Sequence, residues 1–133
     1  MRVLFDTNVL ISAFISHGLC LDVMEYCAAE HQICVSVFIL GEFKEKLQQK
    51  FGFSSQDIQM AVNFLQKISL IADYNENTVP TICRDKNDNH ILAAAFSLKV
   101  DCIVTGDDDL LILKNYANIP ILKPQDFWKQ AGK

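Results

Sequence analysis

Apolar residues recur along this chain in two rhythms. Short dense runs, RVLF at 2–5, ICV at 33–35, SLIA at 69–72, CIVT at 102–105 and PIL at 120–122, predict β-strands. Between them the spacing lengthens to helical periods. Leu19, Val23 and Tyr26 fall on one helix face, and Ile39, Phe43 and Leu47 recur at i, i+4 and i+8. Ser54 with Asp57 three residues on resembles a capping box ahead of an Ile58, Val62, Leu65 face, and Gly52 punctuates the helical pair before it. Ile91, Ala95 and Leu98 mark a further helix. This alternation of strand and helix predicts an α/β fold in which helices cover a parallel sheet. The one long polar passage, DYNENTVPTICRDKNDN at 73–89, reads as a connection. With no repeat, low-complexity segment or linker, residues 1–133 are expected to form a single domain.

A parallel sheet with right-handed crossovers gathers the carboxyl ends of its strands on one edge, where ligands bind at the reversal of strand order. Four acids map to that edge. Asp6 ends the first strand, Glu42 lies in the helix after the second, Asp88 opens the helix leading into the fourth, and Asp107 follows the fourth strand after Gly106. Asp88 stands three residues before Ile91 and shares its inward face; Glu42 stands three after Ile39, at the margin of its apolar stripe. Converging carboxylates repel one another unless a cation neutralises them, and hard oxygen ligands suit Mg²⁺ or Mn²⁺. Such an ion activates water and stabilises charge on a phosphoryl group, which is the chemistry of a nuclease.

Each acid also has a plainer reading. An Asp at a helix N-terminus gains about 0.5–2 kcal/mol as a cap, which alone explains Asp107 or Asp88, but explains Glu42 not at all and Asp6 poorly. Asp108 is expected to be merely solvated, while Asp109 and Asp85 fit outer ligands or caps. Thr7, Asn8 and Thr105 fit groups that orient acids or water, or ordinary turn and cap residues. Lys44, Lys46 and Lys50 follow Glu42, and Arg84 and Lys86 flank Asp85; together they suit phosphates, singly they suit a solvated surface. His90 is expected on a solvated helix face and His31 in a loop.

Composition narrows the setting. Half of the residues are hydrophobic and 21 % are charged, as in globular domains. The net charge of −4 lacks the broad basic footprint of most nucleic-acid binders, so such a substrate must be held locally. The five cysteines are odd in number, contain no CxxC pair and sit mostly in apolar segments, which predicts reduced core residues; His17 and Cys20 lack a second ligand pair for zinc. No apolar stretch reaches the ~18 residues of a membrane span, which predicts a soluble, cytoplasmic protein without membrane contact.

The stretches FDTNVLISA, SVFILGEF, DKNDNHILAAA and VTGDDDLL together resemble the PIN-domain family. The closing ILKPQDFW resembles the branch of toxin components of bacterial toxin-antitoxin pairs, the VapC-like ribonucleases. The resemblance implies a three-layer α/β/α sandwich with a central parallel sheet of about five strands, and cleavage of RNA with Mg²⁺ or Mn²⁺; the residues alone fit RNA or DNA, and one metal ion or two. By position it implies Asp6, Glu42, Asp88 and Asp107 as catalytic metal ligands, with Asn8, Thr105 and Asp109 as auxiliaries. Asp85, three residues before Asp88, competes for the innermost place, and the helical register favours Asp88. An antitoxin partner and a homodimer are further implications.

Two rival readings remain. A receiver-type phosphorylation switch also has a parallel sheet and acidic Mg²⁺ pocket; Asp73 would be its phosphoacceptor and Lys123 its last-strand lysine, but Asp6 lacks a paired acid beside it. A catalytically silent PIN-like binding module is the other, and four retained repelling acids argue against it.

Overall fold

Val3, Leu4 and Phe5 are fully inaccessible to solvent, so β1 (Arg2–Phe5) is covered on both faces, as a continuous apolar run in a parallel sheet requires. The same holds for β4 (Cys102–Val104) and nearly all of β2 (Gln32–Ser36). The computed structural model describes residues 1–132. It adds β3 (Ser69–Ala72), β5 (Asn115–Tyr116) and β6 (Ile119–Leu122), in the order β3-β2-β1-β4-β6-β5. β1 and β4 lie side by side in parallel, Val3 opposite Cys102 and Phe5 opposite Val104.

The helices are α1 (Thr7–Ile15), α2 (Leu19–Glu30), α3 (Val37–Gln49), α4 (Ser55–Ile68), α5 (Lys86–Leu98), α6 (Asp108–Leu111) and α7 (Pro124–Gln130). From β1 the chain steps outward to β2 and then β3, and α5 carries it back across β1 to β4. Right-handed crossovers therefore place α1 to α4 on one face and α5 on the other. The packing agrees: α1 touches α2 and α3, α3 touches α4, and α5 packs on β2 and β3. The direction of travel reverses between β1 and β4, and Asp6 and Thr105 leave the sheet at that switch point.

The five expected strands are present and mutually parallel. A sixth, β5, was not expected; it pairs antiparallel with β6 through a two-residue turn in which Ala117 and Asn118 both have positive φ, 50° and 66°. Three helices were also unanticipated, α1, α6 and α7. α1 matters most for the site, because it makes Asp6 a helix N-cap. The polar 73–89 passage is a connection up to Asp85, with one 3₁₀ turn at Glu76–Thr78, and its last residues already belong to α5.

The receiver-type arrangement does not fit this topology. Such sheets run in the order 2-1-3-4-5 with the third strand central; here β3 is the outer strand, and Asp73 is exposed at its end. No single helix among the described residues is long and apolar enough to cross a membrane.

Candidate metal centre

Asp6 sits where β1 turns into α1, and it is 6 % exposed. Its Oδ1 accepts the Thr7 amide at 2.7 Å, capping α1, and its Oδ2 accepts the Thr105 hydroxyl at 2.7 Å. Capping thus explains more of Asp6 than the sequence suggested. The cap fixes one oxygen and leaves the group buried, so burial raises its pKa above the ordinary 3.8, against the Thr105 and Thr7 hydrogen bonds and Lys46, and with Asp107 adding repulsion.

Thr105 is fully buried just past β4, and its oxygen also accepts the Asp107 amide at 3.0 Å. Asp107 caps α6, its Oδ1 accepting the Asp109 amide at 2.9 Å. One hydroxyl thereby ties the acid after β1 to the acid after β4.

On the neighbouring helix, Ser36 closes β2 and caps α3 by accepting the Ile39 amide at 3.0 Å. That helix start sets the phase of Glu42, whose Oε1 accepts the Thr7 hydroxyl at 2.9 Å. Glu42 is half-buried, and burial raises its pKa; Thr7 and Lys46 oppose the rise, while Asp6 and Asp85 add to it. Lys46, one turn further along, donates to Asn8 Oδ1 at 3.0 Å. Its charge therefore lies against the acids from the α1 side.

Asp85 and Asp88 separate clearly. Asp85 is exposed and caps α5, accepting the Asn87 amide at 3.0 Å. Asp88 is inside the first turn, 6 % exposed, and its Oδ2 is buried without a hydrogen-bond partner. Burial, and then the adjacent Asp107 carboxyl, push Asp88 up to about 7. Asp88, Asp107 and Asp109 each present a carboxylate oxygen within 4.8 Å of the others. Asp109 also receives Arg84 in a bidentate pair, Nη2 to Oδ2 at 2.8 Å and Nε to Oδ1 at 3.3 Å.

The acids of four separate elements therefore meet at one sheet edge. The closest trio contains Asp109 in addition to Asp88 and Asp107, with Asp6 and Glu42 joined to it through Thr105, Thr7 and mutual repulsion. Asp108 is exposed, as expected. Among the cations, Lys46 and Arg84 reach the site. Lys44 lines the groove toward α4 with Gln48 and Ser55, and Lys86 is exposed at the start of α5.

Several contacts had no sequence expectation. From the sequence Thr7 is only a generic orienting or turn residue; in the structure its hydroxyl holds Glu42. His90 is not on a solvated face: it is half-buried and stacks on Phe38, centroids 4.0 Å apart and planes 8° apart, and its Nδ1 meets the Tyr74 hydroxyl at 2.8 Å. Phe38 at four residues before Glu42 was the available signal. Asn89 is buried and accepts the Cys83 amide at 2.9 Å, tying the loop before α5 to the helix.

A family profile described as a PIN domain matches residues 2–109, which include every acid of this cluster. The chain belongs to the PIN-domain family. The β5–β6 hairpin and α7, which carries part of ILKPQDFW, lie beyond that match. Among solved structures, VapBC2 from Rickettsia felis, bound to a DNA fragment from its promoter, has a TM-score of 0.67 at 17 % identity, covering 92 % of this chain and 98 % of that one. VapBC-1 from nontypeable Haemophilus influenzae gives 0.66 at 16 %, covering 94 % and 99 %. FitAcB from Neisseria gonorrhoeae gives 0.61 at 15 %, covering 92 % and 98 %. At these identities the likeness is one of fold. No curated protein matches in sequence. In this PIN domain the acidic cluster is a candidate metal centre, a donor set of hard carboxylate oxygens suited to a divalent ion.

Proposed function

We propose that this PIN domain is a Mg²⁺- or Mn²⁺-dependent endoribonuclease that hydrolyses RNA phosphodiester bonds, and that it is the toxin component of a toxin-antitoxin pair. One observation carries the metal reading: Asp88 Oδ2 is buried, unpartnered and set beside Asp107. The other buried side-chain oxygen without a partner among the described residues, Ser69 Oγ, starts β3 at the opposite end of that strand. A buried carboxylate next to a second one costs stability unless it keeps a proton or a cation meets both, and above about pH 7 Asp88 has lost its proton. The residues fit such an ion.

Asp88 and Asp107 would hold it, with Asp109, Asp6 and Glu42 completing the oxygen donors. When bound, the divalent ion supplies an activated water and neutralises charge developing on the phosphoryl group. The chain's own residues do the rest. Thr105 and Thr7 fix the Asp6 and Glu42 carboxylates so that neither must reorganise when substrate arrives. Burial raises the pKa of Glu42, which makes it a better proton acceptor than a solvated carboxylate. Lys46 and Arg84 offer cations on two sides of the cluster, where the substrate's phosphates need local neutralisation in a chain of net charge −4. Lys44 and Lys86 extend that path outward.

The toxin assignment rests on the ILKPQDFW resemblance and on the fold likeness to the VapBC and FitAcB structures. It brings with it a protein antitoxin, a homodimer and cytoplasmic RNA as substrate.

The test is incubation with a panel of labelled RNAs in Mg²⁺ or Mn²⁺, beside an EDTA control and Asp107→Asn. Asparagine caps a helix as well as aspartate does, so this variant keeps the α6 cap while losing charge. Metal-dependent cleavage abolished in the variant supports the reading; metal-independent cleavage, or none with any RNA, overturns it. Growth arrest on expression in bacteria, absent with Asp107→Asn, is the outcome expected of a toxin.

A further inference from the structure

A cavity of about 490 Å³ opens beside Glu42, lined by Phe38, Gly41, Glu42, Glu45, Lys46 and Asn87. That is within the ordinary range for small-ligand sites. We infer that it is a nucleobase subsite for single-stranded RNA, in which Phe38 is the stacking wall and Glu45 reads N–H donors on the base. The inference rests on the nuclease reading and names the part of the substrate that the site grips.

Phe38 is the first argument. A half-buried phenylalanine ordinarily packs on the core, yet this ring belongs neither to the buried cluster nor to the apolar residues packed against it. It lies instead parallel to His90, which Tyr74 holds through its Nδ1. His90 lines a separate, smaller cavity and takes no part in the wall of the larger one, whereas Phe38 borders both. A ring fixed by a stacked, hydrogen-bonded partner is a preorganised surface. Base stacking on such rings tolerates any sequence and works beside a local cation, here Lys46, in a chain of net charge −4.

Charge is the second. Phe38, Glu42 and Lys46 follow one another at i, i+4 and i+8 on α3, so ring, candidate catalytic carboxylate and cation run along one stripe. Lys46 suits a phosphate. Glu45 does not: it is exposed to the same cavity, when ionised it can accept hydrogen bonds but not donate them, and it repels phosphate. Toward RNA it can accept from base N–H groups or from ribose hydroxyls, and only the first tells one base from another. Guanine offers two adjacent donors, N1–H and N2–H, on its Watson–Crick edge, so the preference expected is guanine over adenine, cytosine and uracil.

The test uses the full chain and two readouts. Guanosine, adenosine, cytidine and uridine 5′-monophosphates are titrated against wild type, Phe38→Leu, Phe38→Trp and Glu45→Gln, following ligand and Phe38 ring resonances by NMR. Separately, the same proteins are assayed on short single-stranded RNAs in Mn²⁺. Expected are ring-current shifts on the guanine protons, binding weakened about fivefold to a hundredfold in Phe38→Leu and retained in Phe38→Trp. Glu45→Gln should flatten the preference for guanine, and Phe38→Leu should raise KM with kcat little changed. Leucine keeps an apolar side chain at a site outside the core, so a folded spectrum is expected of it. Unmoved Phe38 resonances, or Phe38→Leu binding as tightly as wild type, overturn the subsite even if RNA is cut. Nucleotide binding at Phe38 without any RNA cleavage upholds the subsite and removes the nuclease reading; neither binding nor cleavage removes both.

Discussion

The Thr105 hydroxyl donates to Asp6 Oδ2 at 2.7 Å while accepting the Asp107 amide at 3.0 Å, so a single buried oxygen couples the two acids flanking the sheet's switch point. Thr105→Val keeps shape and removes both bonds. The stranded Asp6 oxygen should cost about 1–3 kcal/mol of stability, and misplacement of both acids should lower RNA cleavage by about tenfold to a hundredfold. Thr105→Ser restores the hydroxyl and should recover most of the activity. Urea unfolding and cleavage rates on the three proteins check this, and a valine variant as active as wild type would rule out a positioning role for Thr105.

Asp88 makes the metal-free protein sensitive to pH in a definite direction. Its pKa is raised from 3.8 to about 7, by burial first and Asp107 second. Below about pH 4 the folded and unfolded chains both hold this proton. Between about 4 and 7 only the folded chain keeps it, so stability falls across that window as pH rises, and above it the full loss remains. Thermal unfolding in EDTA should therefore show a larger drop from pH 5 to pH 8 for wild type than for Asp88→Asn. Mg²⁺ or Mn²⁺ should raise the wild-type midpoint more at pH 8 than at pH 5, because the ion replaces the proton, and should leave Asp88→Asn nearly unchanged. Equal pH profiles for the two proteins would contradict the assignment of the orphaned carboxylate.

How far the sequence could be read depends on the range of the interactions involved. β1, β2 and β4 were legible because strands covered on both faces are continuous apolar runs, as Val3 to Phe5 and Cys102 to Val104 are; β3 and β6 are partly exposed and showed only as short apolar runs. β5 was not, because it is two residues long and its turn, Ala117–Asn118, lacks the glycine that ordinarily announces two positive φ angles. α1 was hidden because its residues are apolar nearly all round, with Val9, Leu10, Ile11 and Ala13 all buried, and so show no clear helical stripe. That hidden helix is why Asp6 looked poorly explained by capping. The parallel alternation and helical register brought Asp6, Glu42, Asp88 and Asp107 to one edge in the sequence reading. The bonds of Thr7 to Glu42 and Thr105 to Asp6 link residues 35 and 99 positions apart, and the Phe38–His90 stack joins α3 to α5; spacing carries no signal for pairs of that kind.

Arg84 meets Asp109 in a bidentate pair, but the guanidinium side chain is 84 % exposed. An exposed pair is screened by water and salt and contributes little to folding. Arg84→Ala should leave the melting temperature unchanged within error. If Arg84 serves phosphate, the same variant should raise KM for RNA and flatten the dependence of binding on salt by about one unit of log–log slope. A lower melting temperature with unaltered RNA kinetics would reassign Arg84 to structure.

Lys46 acts on two acids at once, holding the pKa of both Asp6 and Glu42 lower than burial alone would. Its ammonium favours their ionised forms, so removing the charge makes each harder to ionise. Lys46→Met keeps much of the alkyl stem, and Asn8 Oδ1, its partner at 3.0 Å, is left to water at an exposed position. The acidic limb of the pH–rate profile reports ionisation of groups needed in their charged state. In Lys46→Met that limb should move to higher pH, so that activity lost over its lower pH range is regained in part as the pH rises. Loss of a phosphate contact alone would lower activity by the same factor at every pH. Measuring kcat/KM for one short RNA across that range, at fixed ionic strength and saturating Mn²⁺, separates the two roles: a shifted limb places Lys46 among the groups that tune the acids, and a uniform drop confines it to the substrate.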